Sequence, residues 1–334
     1  MGMDYTRLKV VAVSTALVLS VAGGAARADL MSDSRTAFEA GHREEAFKLL
    51  NQAADQGIPK AQFLLGLLYE RGRGGAPKDE KKAVEWFMKA ALQGDPDAAN
   101  NLGYHYYVGR GVSQSYDEAF RWYTAASQAA TADDRDKSAA WTNLASLYHW
   151  GRGTKKDDKK AREFYLKAAE LGNPAAQNNV AYLYEHGLGG PVDAAEAARW
   201  YKQAAEQGFS VAQGNLGVVY EDGRGMKRDD AQAEAWTLKA ARQGDHHAQA
   251  RLAHEAERGE HRPKDLVEAY KWYLLASKGG DGFSGHALER LAIVMKPDQI
   301  AEAIKRAEAE SVPPAAPTEA PAVSTAPAQA PAHE

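Results

Sequence analysis

Apolar positions along most of this chain recur at spacings of three, four, seven and eight, with polar residues between them. That spacing puts the apolar side chains on one face of an α-helix, so the pattern predicts helices and no strands. Two helical patterns alternate, and the pair recurs about every 36 residues. The first reads Ala-x-x-x-Leu-Gly-x-x-Tyr-x-x-Gly-x-Gly, as at Ala61, Leu65, Gly66, Tyr69, Gly72 and Gly74, and returns from Ala98, Ala140, Ala176 and Ala212. The second reads Ala-x-x-Trp-aromatic-x-x-Ala-Ala-x-x-Gly, as at Ala83, Trp86, Phe87, Ala90, Ala91 and Gly94, and returns from Ala197, Ala233 and Ala269. In the third unit Phe164 stands in the Trp position.

The helix ends are written into the same pattern. Asp79, Ser115, Asp157, Asp193, Asp229 and Asp265 sit four residues before the first Ala of the second helix, where a side-chain oxygen can cap free N–H groups. Gly57, Gly94, Gly172, Gly208 and Gly244 follow that helix, where a left-handed residue is wanted, and Pro59, Pro96 and Pro174 suit the first turn of the next. The Leu-Gly and Ala-Ala pairs allow close helix approach, and the Trp and Tyr columns fill the remaining volume as core. One helix pair cannot bury its apolar face alone, so stacked pairs must share a continuous core.

These residues resemble the Sel-1-like repeat family, a relative of the tetratricopeptide repeat, whose units run about 34 residues. The longer period and the Gly-x-Gly loop carry the likeness, which covers about residues 35 to 295. The resemblance implies an all-α, right-handed α-α superhelix with a concave groove, and adaptor or scaffold roles. The expected layout is a partial repeat at 29–58, six repeats at 59–280, and capping helices at 281–310. The sixth unit departs from the pattern, with Ala256 in the Tyr position and His261 in that of the second loop Gly.

The two ends fall outside this periodicity. Arg7 and Lys9 precede a 13-residue apolar run, Val10 to Ala22, and Ala26-Arg27-Ala28 has the form of a cleavage site. A bilayer-spanning helix needs about 20 apolar residues, so residues 1–28 read as a signal peptide cut near Ala28/Asp29. The expected location is periplasmic or secreted. Residues 311–334 hold six Pro and eight Ala and read as a disordered tail. The chain has no cysteine and a net charge of −4, or about −6 once the leader is removed. With no basic block, nucleic acid is not an expected partner.

The candidate sites are weaker signals. Gly-rich loops such as Gly223-Arg224-Gly225 suggest phosphate cradles, but they lack the strand and the Lys-Ser/Thr of a nucleotide loop and recur five times, which reads as turns. His254-Glu255 begins like a zinc-protease helix, but Arg258 replaces the second His, and His246, His247 and His261 fix no third ligand. No acid–base pair or nucleophile elbow is present, so no metal, cofactor or catalytic residue is expected. An Asn column at Asn101, Asn143, Asn179 and Asn215 and a Gln column that includes Gln177 and Gln213 are the partner-binding candidates. An amide ladder suits an extended backbone or a polysaccharide; alternatively, these amides bond between adjacent repeats. The charged insertion Thr131 to Ser138 reads first as a tolerated surface extension; it alternatively lengthens a helix or offers a partner a local handle. The expected function is a non-enzymatic adaptor or regulator that binds a protein, such as an envelope sensor or assembly machinery, through the concave face. The alternative is a scaffold in exopolysaccharide or envelope assembly.

Overall fold

The computed structural model describes residues 29–259 and 263–310; the expected leader, the tail 311–334 and His261 lie outside them. Every regular element among the described residues is helical. The chain divides into two compact units: one reaches Leu147 and includes Gly151–Lys155, and the other includes Tyr148–Trp150 and continues from Lys156.

The first unit contains α1 (29–39), α2 (Arg43–Asp55), α3 (Pro59–Arg71), α4 (Glu80–Ala91), α5 (Pro96–Val108), α6 (Tyr116–Gln128) and most of α7 (Asp134–Trp150). Neighbouring helices from α2 to α6 pack on one another in sequence order. Leu50, Ala53, Ala54, Ala61 and Leu65 form one cluster, and Phe63, Ala83, Phe87, Ala98 and Leu102 lie in the next. The second unit runs through α8 (Asp158–Glu170), α9 (Pro174–Glu185), α10 (Ala194–Glu206), α11 (Ser210–Asp222), α12 (Asp230–Arg242), α13 (His246–Arg258), α14 (Leu266–Lys278), α15 (Gly282–Val294) and α16 (Pro297–Glu310). Here too neighbours pack in order, and α16 folds back onto α14.

The caps do what their residue types require. Asp79, Asp157, Asp193, Asp229 and Asp265 each accept a hydrogen bond from the N–H three residues on, and Ser115 does the same. Gly94, Gly208 and Gly244 all take φ of 88°. The next N–H then reaches back five residues, as from Asp95 to Ala90 and from Phe209 to Ala204, which closes the helix end in a Schellman turn. The 131–138 insertion lengthens a helix. It adds a turn to α7, closed by an Asp133–Asp136 capping box.

The core differs in one respect from the sequence reading. In four of the six repeats the Trp-position residue is only half-buried (Trp86, Trp122, Phe164, Trp236), whereas Trp200 and Trp272 are buried. In the last repeat Trp272 is more buried than Tyr273. In the others the innermost side chain is the one after the Trp position: Phe87 and Tyr123 are 0% exposed and Tyr201 is 1%. The Gly of Leu-Gly makes this possible, since a Cβ on Gly66 or Gly103 would lie 2.6–2.7 Å from the ring of Phe87 or Tyr123. The outer indoles instead lie under lysine, with Lys89 Nζ 3.6 Å from the Trp86 centroid and Lys239 Nζ 3.9 Å from that of Trp236.

Candidate binding surface

The Gly-x-Gly loops connect the two helices of a repeat and pack against the repeat before it. Their first Gly (Gly72, Gly109, Gly223) ends the first helix in the left-handed region. The second meets the backbone of the preceding repeat. A Cβ on Gly111, Gly153, Gly189 or Gly225 would lie 2.0–2.2 Å from the carbonyl oxygen of Glu80, Tyr116, Asp158 or Ala194, each the first residue of the preceding second helix. The residue between the two glycines reaches back as well. Arg152 donates to the Tyr107 hydroxyl, with its guanidinium 5.5 and 5.4 Å from the rings of Tyr107 and Tyr116. Arg224 donates to Glu185, which also accepts from Tyr201 Oη at 2.9 Å.

The same carboxylate position recurs at Glu257, which accepts from Tyr273 Oη at 2.9 Å and from Arg290 at 2.7 Å. At Glu70 the partner is His105, a fully buried imidazole at 3.3 Å whose Nδ1 lies 2.8 Å from the Arg110 carbonyl oxygen. Burial pushes the Glu257 carboxyl up, but the hydrogen bonds of Arg290 and Tyr273 and the charge of Arg290 outweigh it and hold the group below the usual range. Burial also raises Glu70, and the hydrogen bond and charge of His105, aided by Arg71 and Arg110, bring it down on balance. A carboxyl lowered in the folded state stabilises above its unfolded pKa, about 4.3. That contribution disappears as pH falls through the folded value. Stability of the second unit should therefore drop on acidification below about pH 4.3, and Glu257→Gln should flatten that limb in urea titrations at stepped pH.

The Gln column is built into the stack. Gln177 is 4% exposed; its Nε2 donates to the Ala169 carbonyl at 3.1 Å and its Oε1 accepts from Gln207 Nε2 at 2.7 Å. Gln213, 5% exposed, repeats the arrangement with Ala205 and Gln243, and Gln62 with Ala54 and Gln93. The column thus ties the end of one second helix to the end of the next. Replacing Gln213 by Leu keeps the volume but removes its bonds to the Ala205 carbonyl, which retains the Gly208 N–H, and to the exposed Gln243, an expected loss of about 0.5–1.5 kcal/mol in urea denaturation.

The Asn column is largely turned inward too. Asn101 is buried and donates to the Asp97 carbonyl at 2.8 Å, and Asn143 is buried and donates to Asn100 Oδ1 at 2.9 Å. Asn215, half-buried, donates to Asn178 Oδ1 at 2.9 Å, and Asn179 is half-buried beside Asn178. Asn143 Oδ1 and Asn179 Nδ2 have no partner among the described residues, but both atoms are buried. Of the two readings of these columns, the hydrogen bonds support joints between repeats over an open ladder. The position four residues before the Asn column is engaged as well: Lys60 Nζ reaches Asp97 at 2.8 Å, and Arg135 on the lengthened α7 reaches the same carboxylate at 3.1 Å.

With the amides engaged, the same helix faces present aromatic rings. Trp150, Tyr182 and His186 lie seven, three and seven residues beyond their Asn, so they follow it on the same face. All three belong to the second unit and are exposed, Trp150 by 37% and Tyr182 by 42%. His149 sits between them, 4.5 Å from Trp150 and 6.5 Å from Tyr182 by ring centroids, and its Nδ1 is fixed by Asp158 Oδ1 at 2.6 Å. Tyr182 and His186 are 4.1 Å apart. This patch was not a sequence candidate, although its register relative to the Asn column was readable. The histidine group lies elsewhere: His246 and His247 stack at 4.2 Å, while His254 lines a cavity of about 650 Å³ with Glu257, Tyr273 and Arg290.

The repeat seen in the geometry matches a known pattern. The Sel1 repeat matches residues 43–58, 59–95, 96–130, 138–173, 174–209, 210–245 and 246–281. The chain belongs to the Sel1 repeat family. Its all-α, tetratricopeptide-like solenoid class is shared by solved Sel1 relatives. A Sel1 repeat protein from Oxalobacter formigenes is 30% identical, with a TM-score of 0.68 over 74% of this chain and 96% of that one. A protective antigen of uropathogenic Escherichia coli with the same fold is 29% identical, with a TM-score of 0.65 over 85% of this chain and 62% of that one. Among curated Sel1 relatives, the ERAD-associated E3 ubiquitin-protein ligase component HRD3B of Arabidopsis thaliana is 35% identical over 36% of this chain. The chitin synthase regulator SKT5 of Saccharomyces cerevisiae is 31% identical over 46%. The match spans only 18% and 23% of those two proteins.

Proposed function

We propose that this Sel1 repeat protein is a non-enzymatic adaptor or regulator that binds a protein partner through the first-helix face of its repeats. The observation that carries this reading is the engagement of the amide columns. Glycan recognition needs free donors and acceptors beside its aromatic rings, and here the amides bond one repeat to the next. What that face offers a partner is aromatic surface at Trp150 and Tyr182, with Asn179 and Asn215 at its margin. Rings of this kind are enriched at protein interfaces. The names of two relatives, a regulator of a synthase and a component of a ligase, fit the same class.

The leader at residues 1–28 makes the site of action periplasmic or secreted and favours a partner among envelope sensors or assembly machinery. N-terminal sequencing of the protein from its native host should begin near Asp29. For the binding face, a photo-crosslinking residue at Tyr182 is compared with one at Trp236 on the second helix. Capture of a discrete protein band at 182 and none at 236 supports the reading. Equal capture at both positions, or retention of glycan polymer in place of protein, overturns it.

A further inference from the structure

We infer that the Trp150–Tyr182–His186 patch is a dock for the chain's own Pro/Ala-rich segment, residues 311–334, which competes there with outside ligands. The rings are exposed, lie on adjacent first helices α7 and α9, and are held in place from beneath. His149 lies between Trp150 and Tyr182 and is fixed by Asp158, and Tyr182 packs at a tilt on His186. A surface of preset rings suits an extended proline-rich strand, whose flat pyrrolidines pack on aromatics at little entropic cost. Six of the 24 residues from Ser311 to Glu334 are Pro, and none is a large hydrophobic that would need a deep pocket.

The position of α16 brings this segment within reach. Its last residue, Glu310, accepts from Arg242 Nε on α12 at 2.9 Å and pairs with Lys271 on α14 at 3.5 Å. The segment therefore starts beside α12 rather than beyond the last repeat. Three helix steps of about 8–10 Å separate α12 from α9. A 24-residue polyproline-type strand reaches roughly 70 Å at about 3.1 Å per residue. The inference uses the face assigned to partner binding but not the partner itself.

The test exploits the absence of cysteine. Full-length protein carrying Ala328→Cys, 18 residues beyond Glu310, is labelled with a bimane dye, whose emission a touching indole quenches. The expected result is quenching that is lost on Trp150→Phe, is kept on Trp236→Phe and does not change on dilution. Quenching unchanged by Trp150→Phe, or lost equally in both variants, overturns the inference. Quenching that fades on dilution also overturns it, because a second copy would then supply the segment. Matching circular dichroism melts for the two variants show that loss of signal is not unfolding. Crosslinking from Tyr182 reads partner capture separately, so a tail that never docks leaves the binding function standing.

Discussion

Gly225→Ala is expected to destabilise the second unit by about 2–5 kcal/mol, far more than Gly223→Ala two residues earlier. Both glycines hold positive φ, 68° at Gly223 and 69° at Gly225. A non-glycine residue there costs about 1–2 kcal/mol in either position. The surroundings separate them. A Cβ at position 223 would meet Arg228 Cβ and its backbone nitrogen at 3.2 Å, a contact that a shift of the loop by a few tenths of an ångström relieves. At position 225 it would meet the Ala194 carbonyl oxygen at 2.0 Å and its carbon at 2.2 Å. That carbonyl opens α10, so relief requires moving one repeat against the next, for about 1–3 kcal/mol more. Urea midpoints of the two variants give the comparison directly. Equal, mild losses would mean that the second loop glycine is not a joint between repeats.

Trp272→Ala should cost about 3–5 kcal/mol, and Trp86→Ala, at the same place in its repeat, about 1–2 kcal/mol. Trp272 is 1% exposed, the largest of the fully buried side chains among the described residues, with Nε1 donating to Glu268 at 2.8 Å. Removing it leaves a cavity inside the core cluster that also holds Leu252, Ala256 and Leu291. Trp86 is half-buried under Lys89, so truncation gives up partial burial and a cation–π contact but opens no closed void. Denaturant melts of the two variants would reveal the difference. Similar losses would restore the simpler view that the whole Trp column is core.

The repeat period, the helix pairs and their caps could be read from the chain because each rests on local chemistry. Asp193 caps α10 whatever lies across from it, and Gly208 takes a left-handed turn for reasons internal to its helix end. Less could be read wherever a residue's role depends on the neighbouring repeat. Trp86 and Phe87 look interchangeable in a helical pattern. Which of them points inward follows from Gly66 on the partner helix, whose missing Cβ makes room for one ring only. Likewise Gln177 has the composition of a groove residue. Only the packing of α8 and α10 brings the Ala169 carbonyl and Gln207 to its two ends. The Trp150–Tyr182 patch is not legible in the sequence for the converse reason: aromatics in this pattern read as core, and exposure is not a property of one helix alone.

Internal amide bonds fasten most repeats to their neighbours. A double-mutant cycle on Gln213 and Gln243 tests this most directly, because their 2.7 Å contact is a purely side-chain link. Gln213→Ala, Gln243→Ala and the pair are compared in urea, and a coupling of about 0.5–1.5 kcal/mol is the predicted result. Strictly additive losses would contradict the account, leaving the Gln column open to an outside ligand after all.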